Sequence, residues 1–156
     1  MRRIVLLCAL AAAILGVAAA QAEVTTNDTM TVPFNAFVPC ANGGAGEVIS
    51  GNVNLHVLVR VTINGNNLSG KVHNQPQGGT LVGAITGDIY RATGVTQDMF
   101  TSSLQHGQFT ETFVNNFRLI GPGTGNNLAL HETFHLRIMA NGDTTMLHVA
   151  VSGDCK

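Results

Sequence analysis

The strongest constraint on the fold is a strict alternation of apolar and polar residues between positions 49 and 63. The odd positions are apolar apart from Gly51, and the even positions are polar apart from Leu58. Successive side chains of a β-strand point to opposite faces of its sheet, so this repeat predicts a long strand with one buried face. The dipeptide Asn64-Gly65 follows and predicts a tight hairpin turn, because both residue types accept the positive φ angles of such turns.

The same period of two residues recurs along the rest of the chain. Phe109, Phe113 and Phe117 share one face of a predicted strand, and residues 128–139 alternate in the same way. We expect one antiparallel all-β domain of seven or eight strands over residues 23–156, in meander order. A small closed barrel is the expected architecture because closure removes exposed strand edges, and a β-sandwich is the alternative.

Two parts of the strand pattern are less regular. Gly83, Gly87 and Gly94 are expected to mark bends or bulges, as glycines do in curved sheets. Residues 95–106 show no clear alternation and predict either a short helix or an irregular loop.

Residues His131-Glu132-Thr133-Phe134-His135 match H-E-x-x-H, the sequence motif of zinc peptidases. On a helix the two histidines share one face and can bind one metal ion, but on a strand they lie about 13 Å apart. The alternation around them predicts a strand. A zinc metallopeptidase, with His131 and His135 as ligands and Glu132 as general base, is therefore an alternative that requires this segment to be helical.

The turn at Asn141-Gly142 supports the assignment of this segment to a strand. A two-residue loop there places Phe134 opposite Val149 and matches apolar with apolar residues along both strands. A shift of one residue would destroy that match, so the pattern strongly favours a single register.

The same register places His135 opposite His148 on the polar face, where cross-strand Cβ atoms lie about 4.5–5.5 Å apart. Two imidazoles at this separation can share a Zn²⁺ or Cu²⁺ ion. A structural zinc site normally has four ligands, so an ordinary pair of exposed histidines is the favoured interpretation and a metal site is the alternative. His135 and His148 are the candidate metal ligands of this chain, with zinc as the candidate cofactor.

A second histidine pair depends on the loop at Asn64-Gly65. If this loop has two residues, His56 lies opposite His73. If the loop covers residues 64–67, Leu58 lies opposite His73 instead.

Glu132 is the one charged residue on the apolar face of its predicted strand. Two accounts of it stay open. Either the carboxylate is an acid or base inside a cavity, or it lies at a strand end or pairs with Arg118 or Arg91.

Residues 1–22 have the three parts of a signal peptide. Arg2 and Arg3 form the basic start, residues 4–20 form the apolar run, and a cleavage site of the A-x-A type ends at Ala22. We expect cleavage after Ala22, export, and a secreted or periplasmic mature protein.

Removal of residues 1–22 leaves 134 of the 156 residues, with six Lys and Arg against nine Asp and Glu, a formal net charge of −3. This acidic balance argues against nucleic acid or an anionic membrane surface as a partner. No second apolar stretch is long enough to span a bilayer. A chain of this size can bury about two-thirds of its unfolded surface in one domain.

Two cysteines, Cys40 and Cys155, stay in the mature chain, whereas Cys8 leaves with the signal peptide. An oxidising compartment predicts that such a pair forms one disulfide bond. The bond would close a very long loop, and the loss of chain entropy in the unfolded state would then favour folding by roughly 4–5 kcal/mol.

The carboxy-terminal segments NNFRLIGPG (115–123), LHETFH (130–135) and ANG (140–142), followed by Cys155, resemble a family of small exported bacterial proteins rich in β structure. The similarity is strongest over residues 109–156. It implies export and a bacterial source, and it transfers no catalytic residue to this chain.

The sequence thus predicts an exported, non-catalytic β module that binds a small apolar ligand or a partner. A histidine-based binder of a divalent metal and the zinc metallopeptidase are the alternatives. Trp is absent and Tyr90 is the single tyrosine, which argues against an aromatic platform for sugars.

Overall fold

The structure is a computed structural model that describes residues 22–156, and it contains one antiparallel sheet of seven strands. The strands follow one another in chain order, so each pairs with its neighbours in sequence. Their bounds are β1 (Ala22–Val38), β2 (Glu47–Asn64), β3 (Asn67–Gly83), β4 (Ile89–Ser103), β5 (Gln108–Ile120), β6 (Leu128–Ile138) and β7 (Thr144–Cys155). The predicted antiparallel all-β fold is confirmed. The predicted signal peptide lies outside the described residues, apart from Ala22.

The register of the strands separates two faces, because residues paired across neighbouring strands project to the same side of a sheet. The inner face carries the even-numbered residues of β1, β4 and β6 and the odd-numbered residues of β2, β5 and β7. On β3 it carries the even positions up to Pro76 and the odd positions from Gly79, because an irregularity in the β2–β3 pairing shifts the phase. The remaining strand residues form the outer face.

The sheet is rolled, with its inner face on the inside. The rings of Phe34 on β1 and Phe117 on β5 stack with centroids 5.7 Å apart, whereas strands four steps apart in a flat sheet would be about 19 Å apart. Gly51 pairs with Phe34 and Gly94 pairs with Phe117. Both glycines have positive φ, and a Cβ at either would collide with the backbone of the next strand. Glycine at these two positions therefore allows the bend that brings the rings together.

The buried core lies at one end of the roll. We call this the closed end, and it also contains the connecting loops 39–46, 84–88 and 121–127. Its buried hydrophobic residues are Val38, Cys40, Ala41, Ile49, Val53, Leu81, Tyr90, Ala92 and Leu119. The opposite end, which we call the open end, contains the hairpin turns 65–66, 104–107 and 139–143.

A disulfide bond ties the closed end together. Cys40 follows β1 and Cys155 ends β7, and their Cα atoms lie 5.4 Å apart. In addition, the Gly43 backbone N–H donates to the Asn126 side-chain oxygen at 3.3 Å. The predicted disulfide is thus present, and it joins the two edge strands of the sheet at this end.

The predicted closure into a barrel is wrong. Within residues 22–156, β1 pairs only with β2 and β7 pairs only with β6. An antiparallel meander with an odd number of strands begins and ends on strands that run in the same direction. Such edges can close only through a parallel ladder, which is slightly less stable per residue. The sandwich alternative is also wrong, because the strands form one sheet.

The two edge strands consequently carry exposed apolar residues. Val24 and Met30 on β1 are more than half exposed, as are Leu147, Val149 and Val151 on β7. Within the described residues, no helix is long and apolar enough to cross a membrane.

Residues 95–106 form neither a helix nor a loop for most of their length, since β4 continues to Ser103. The alternation was hidden because Thr96 and Asp98 are polar residues on the inner face. Two of the three glycines predicted to mark bends do so. Gly94 lies at the bend beside Phe117, and Gly87 lies in the 84–88 turn with a φ of 72°. Gly83 instead packs in β3 against the side chain of Glu47.

The hairpin predictions were correct in part. Phe134 pairs with Val149, as predicted, but the loop spans residues 139–143 and the ladder is irregular beside it. At the earlier hairpin the two turn residues are Gly65 and Asn66, one position later than expected.

Candidate functional site

The H-E-x-x-H residues lie on strand β6, so the motif match does not form a metal site. His131 and His135 are both on the outer face, and Glu132 is on the inner face. Four residues of strand separate the two histidines by about 13 Å. The Nδ1 atom of His131 lies 2.6 Å from the side-chain oxygen of Asn116 on β5. The helical geometry that the zinc-peptidase alternative requires is absent.

The candidate metal ligands His135 and His148 do lie opposite each other on β6 and β7. The Nδ1 atom of His135 is 2.8 Å from the Thr112 hydroxyl on β5. Among residues 22–156, no group of three or more His, Cys, Asp or Glu side chains is placed to hold a metal ion. The pair therefore offers two ligands, and zinc binding by it stays a prediction.

The second histidine pair does not form. His73 lies opposite Leu58, and His56 lies opposite Gln75, because the hairpin turn comes one residue later than a turn at Asn64-Gly65. Leu58 opposite His73 is the pairing predicted for a loop over residues 64–67, so that register is confirmed, although Asn64 and Asn67 themselves pair and only Gly65 and Asn66 form the turn.

A cavity of about 210 Å³ lies inside the roll, beside the core. It is bounded by strands β1 to β5 and shares Val53 with the core. Its apolar walls are formed by Val32, Phe34, Val53, Leu55, Pro76 and Phe117. The stacked rings of Phe34 and Phe117 are therefore part of this wall, and the same contact that rolls the sheet also shapes the cavity.

One side of the cavity is polar. Asn74, Thr96, Asn115 and Glu132 occupy paired positions on the neighbouring strands β3, β4, β5 and β6. The first three line the cavity. The Thr96 hydroxyl donates to Asn115 Oδ1 at 2.9 Å, and Asn115 Nδ2 donates to Glu132 Oε2 at 2.7 Å. These bonds connect the Glu132 carboxylate to the cavity wall.

The accounts of Glu132 as a strand-end residue or as the partner of an arginine are therefore both wrong. Glu132 lies in the middle of β6 on the inner face, whereas Arg91 and Arg118 project from the outer face. Its partner is the Asn115 amide. The other account, a carboxylate associated with a cavity, agrees with this geometry.

Charged residues of the strands are segregated between the two faces. The inner face carries five carboxylates, at Asp28, Glu47, Asp98, Glu111 and Glu132, and in the described strands it carries no Lys, Arg or His. The outer face carries all the strand cations, at Arg60, Lys71, Arg91, Arg118 and Arg137. It has two carboxylates, Glu23, whose Oε1 lies 3.0 Å from Arg60 Nε, and Asp154.

Asp98 is a half-buried carboxylate on the inner face of β4. Its Oδ1 atom is buried and has no hydrogen-bond partner among the described residues. It pairs with Val72 on one side and Phe113 on the other, so its cross-strand neighbours on the inner face are apolar. The sequence pattern does not single out Asp98, because its polar side chain interrupts the apolar alternation of the inner face.

Glu47 is buried in the closed end and holds the 84–88 loop. Its Oε1 accepts from the Thr86 hydroxyl at 2.7 Å, and its Oε2 accepts from the N–H groups of Ile85 and Thr86 at 2.8 and 3.0 Å. Burial by itself raises the pKa of Glu47, but these hydrogen bonds outweigh it and hold the pKa below its ordinary value. Glu47 is therefore a structural anion of the closed end.

The buried Tyr90 ring packs beside Glu47 in the same end. Burial raises the pKa of Tyr90, and the nearby carboxylates of Glu47 and Asp88 raise it further. Tyr90 also fills the space beside Gly121, where a Cβ would collide with its ring. Both residues serve the closed end and lie outside the cavity wall.

Comparisons with known protein families, with curated proteins and with solved structures find no match to this chain. The resemblance of residues 109–156 to small exported bacterial proteins stays an expectation. The chemistry of the site rests on its own geometry, which is an apolar cavity with one polar side and an acidic surround.

Proposed function

We propose that this protein is an exported, non-catalytic module that binds a small, largely apolar ligand in the cavity of the rolled sheet. The observation that carries the proposal is the cavity itself, to which the inner face contributes six apolar side chains and, on one side, three polar side chains. Binding sites for small molecules typically have this composition, in which apolar walls supply affinity and a few polar groups set orientation.

The size and position of the cavity restrict the ligand. Its volume of about 210 Å³ is below the range of roughly 300–1,000 Å³ that is usual for drug-sized ligands. A short alkyl chain or a small aromatic compound fits this limit better than a sterol or a nucleotide. The unpaired edges of β1 and β7 leave the inner face of the open end half-buried, which supports access from that direction.

The experiment uses a neutral dye, N-phenyl-1-naphthylamine, whose fluorescence rises in apolar surroundings. We expect saturable binding to the oxidised mature protein. Val32→Trp places a larger side chain in the cavity wall and should weaken dye binding about tenfold or more, because it fills space that the ligand needs. Val48→Trp is the matched control, since Val48 lies on the outer face and is 39% exposed. Equal dye binding by both variants and the wild type would contradict the cavity as the binding site.

Export is the second part of the proposal. The mature protein recovered from the periplasm or the medium should begin at Glu23 and have the mass of the oxidised Cys40–Cys155 form. The disulfide supports this, because such bonds persist in oxidising compartments. An intact amino terminus with free thiols under non-reducing conditions would contradict export.

A histidine-based metal binder is the second candidate function, and the cross-strand pair of His135 and His148 is the observation that favours it. Two imidazoles supply half of a tetrahedral shell, so affinity for Zn²⁺ should be weak. Calorimetric titration of Zn²⁺ should then show binding that His148→Ala abolishes and His131→Ala leaves unchanged. Absence of binding to the wild type would remove this candidate.

A further inference from the structure

The charge on the inner face points to the chemical class of the ligand. Within the described strands the five inner-face carboxylates face no Lys, Arg or His on the same surface. We infer that the ligand is a cationic amphiphile, with an apolar body and a protonated amine as its head group. This inference rests on the proposed function and specifies the ligand of the same cavity.

The apolar body would occupy the cavity between Phe34, Phe117 and Leu55. The head group would lie toward the open end, where Asp98 and Glu111 are. Asp98 is two residues from the cavity-lining Thr96 on the same face of β4, which corresponds to about 7 Å along the strand. That spacing lets one small molecule reach both the apolar walls and a carboxylate.

Asp98 is the carboxylate that best matches an ammonium head group of the ligand. A buried acceptor without a partner costs free energy, and the cost is larger for a charged group. The Oδ1 atom of Asp98 is such an acceptor within the described residues. A hydrogen bond from a ligand ammonium N–H would satisfy this oxygen, and the positive charge would neutralise the carboxylate. The apolar neighbours Val72 and Phe113 would strengthen the attraction by excluding water.

Two further carboxylates lie within the same part of the inner face. Glu132 is connected to the cavity wall through Asn115. Glu111 is two residues from Phe113 on β5 and pairs with Phe100 and Leu136. A ligand carboxylate or phosphate in this region would meet only like charge, so fatty acids and phosphorylated amphiphiles are disfavoured by the same arrangement.

A bare metal cation is a poor alternative occupant. No group of three potential ligand side chains converges within residues 22–156, and the two cross-strand neighbours of Asp98 are apolar. A monovalent organic cation needs one carboxylate and an apolar surface, and both are present here.

The test compares three ligands of equal chain length, octylamine, 1-octanol and octanoate, as competitors of N-phenyl-1-naphthylamine at pH 7. Octylamine should displace the dye at a concentration at least about tenfold lower than octanoate, with octanol between them. Asp98→Asn should reduce this preference to about threefold or less. Asp154→Asn is the matched control because Asp154 lies on the outer face, and it should leave the preference unchanged.

Each outcome decides the inference. Equal displacement by the three ligands would overturn the cationic preference while leaving the binding cavity intact, whereas failure of the dye itself to bind would overturn the proposed function. Retention of the full preference in Asp98→Asn would overturn the role of Asp98. Asp98→Asn should unfold at a temperature no lower than the wild type, since Oδ1 has no partner to lose. If it unfolds lower, Glu111→Gln decides the question by the same comparison.

Discussion

The closed end and the open end are built from the same seven strands with the same alternation, yet they differ in how deeply their apolar side chains are buried. At the closed end Ile49, Leu81 and Leu119 are almost completely inaccessible to solvent. Toward the open end, the apolar residues of the inner strands are half-buried, and Leu147 and Val149 on the edge strand are more than half exposed. Alternation therefore determines which face is apolar, but it does not determine how deeply that face is buried.

The difference comes from what covers each end. At the closed end three loops fold over the core and are held by long-range bonds, namely the disulfide, the Gly43–Asn126 hydrogen bond and the bonds from the 84–88 loop to Glu47. The turns of the open end have two to five residues, and the Asn66–Gln105 hydrogen bond links two of them without covering the inner face. Stability should be concentrated at the closed end.

The largest expected effect is the loss of the disulfide. Cys40→Ser combined with Cys155→Ser should lower the free energy of unfolding by about 4 kcal/mol, because the bond spans 115 residues of sequence and restricts the unfolded chain. Urea denaturation of the oxidised wild type and the double variant measures the difference. Hydrogen exchange should also speed up most at the closed end, and a uniform increase over both ends would contradict the comparison.

A smaller effect is expected from matched leucine truncations at the two ends. Leu119→Ala should cost about 3 kcal/mol, since Leu119 is 0% exposed and its removal leaves a cavity. Leu147→Ala should cost below about 1 kcal/mol, because its side chain is 61% exposed. Urea denaturation of both variants is the measurement. Similar losses at the two positions would show that the open end is covered in solution.

The third expected effect depends on pH and tests whether the ionised Glu47 carboxylate stabilises the closed end. The pKa of Glu47 in the folded state is below its ordinary value of 4.5, so its stabilising contribution is present above that value and is lost as the pH falls through the folded-state pKa. Glu47→Gln should therefore be less stable than the wild type at pH 7, and the difference should shrink on acidification below pH 4.5. Denaturant titrations at several pH values measure this.

Glu111→Gln is the control for that experiment, because Glu111 is a half-buried carboxylate nearer the open end and is outside the Glu47 hydrogen bonds. A stability difference between Glu47→Gln and the wild type that stays constant from pH 7 to pH 3 would contradict the assigned cause.

Features that depend only on neighbouring strands could be predicted from the sequence. The pairing of Phe134 with Val149 and of His135 with His148 followed from one turn and the apolar pattern. Placement of the H-E-x-x-H residues on a strand followed from the same pattern. These predictions succeeded because a one-residue shift would move every side chain to the other face.

The sequence pattern is ambiguous where polar residues lie on the inner face. Asp98 concealed the continuation of β4, and Asn115 was not recognised as the partner of Glu132. The turn at Gly65 and Asn66 was displaced by one residue, which removed the second histidine pair. In each case the local pattern was compatible with two arrangements, and contacts with other strands selected one of them.

The sequence by itself determined the class of the fold, the face to which most strand side chains belong and the cysteines that pair, because these follow from a local period of two and from the small number of cysteines. Only the tertiary structure decided that the sheet rolls without closing and that a cavity forms. Those features depend on contacts between distant segments, such as the stacking of Phe34 on Phe117. They also depend on the strand count, since seven strands leave the two edges parallel.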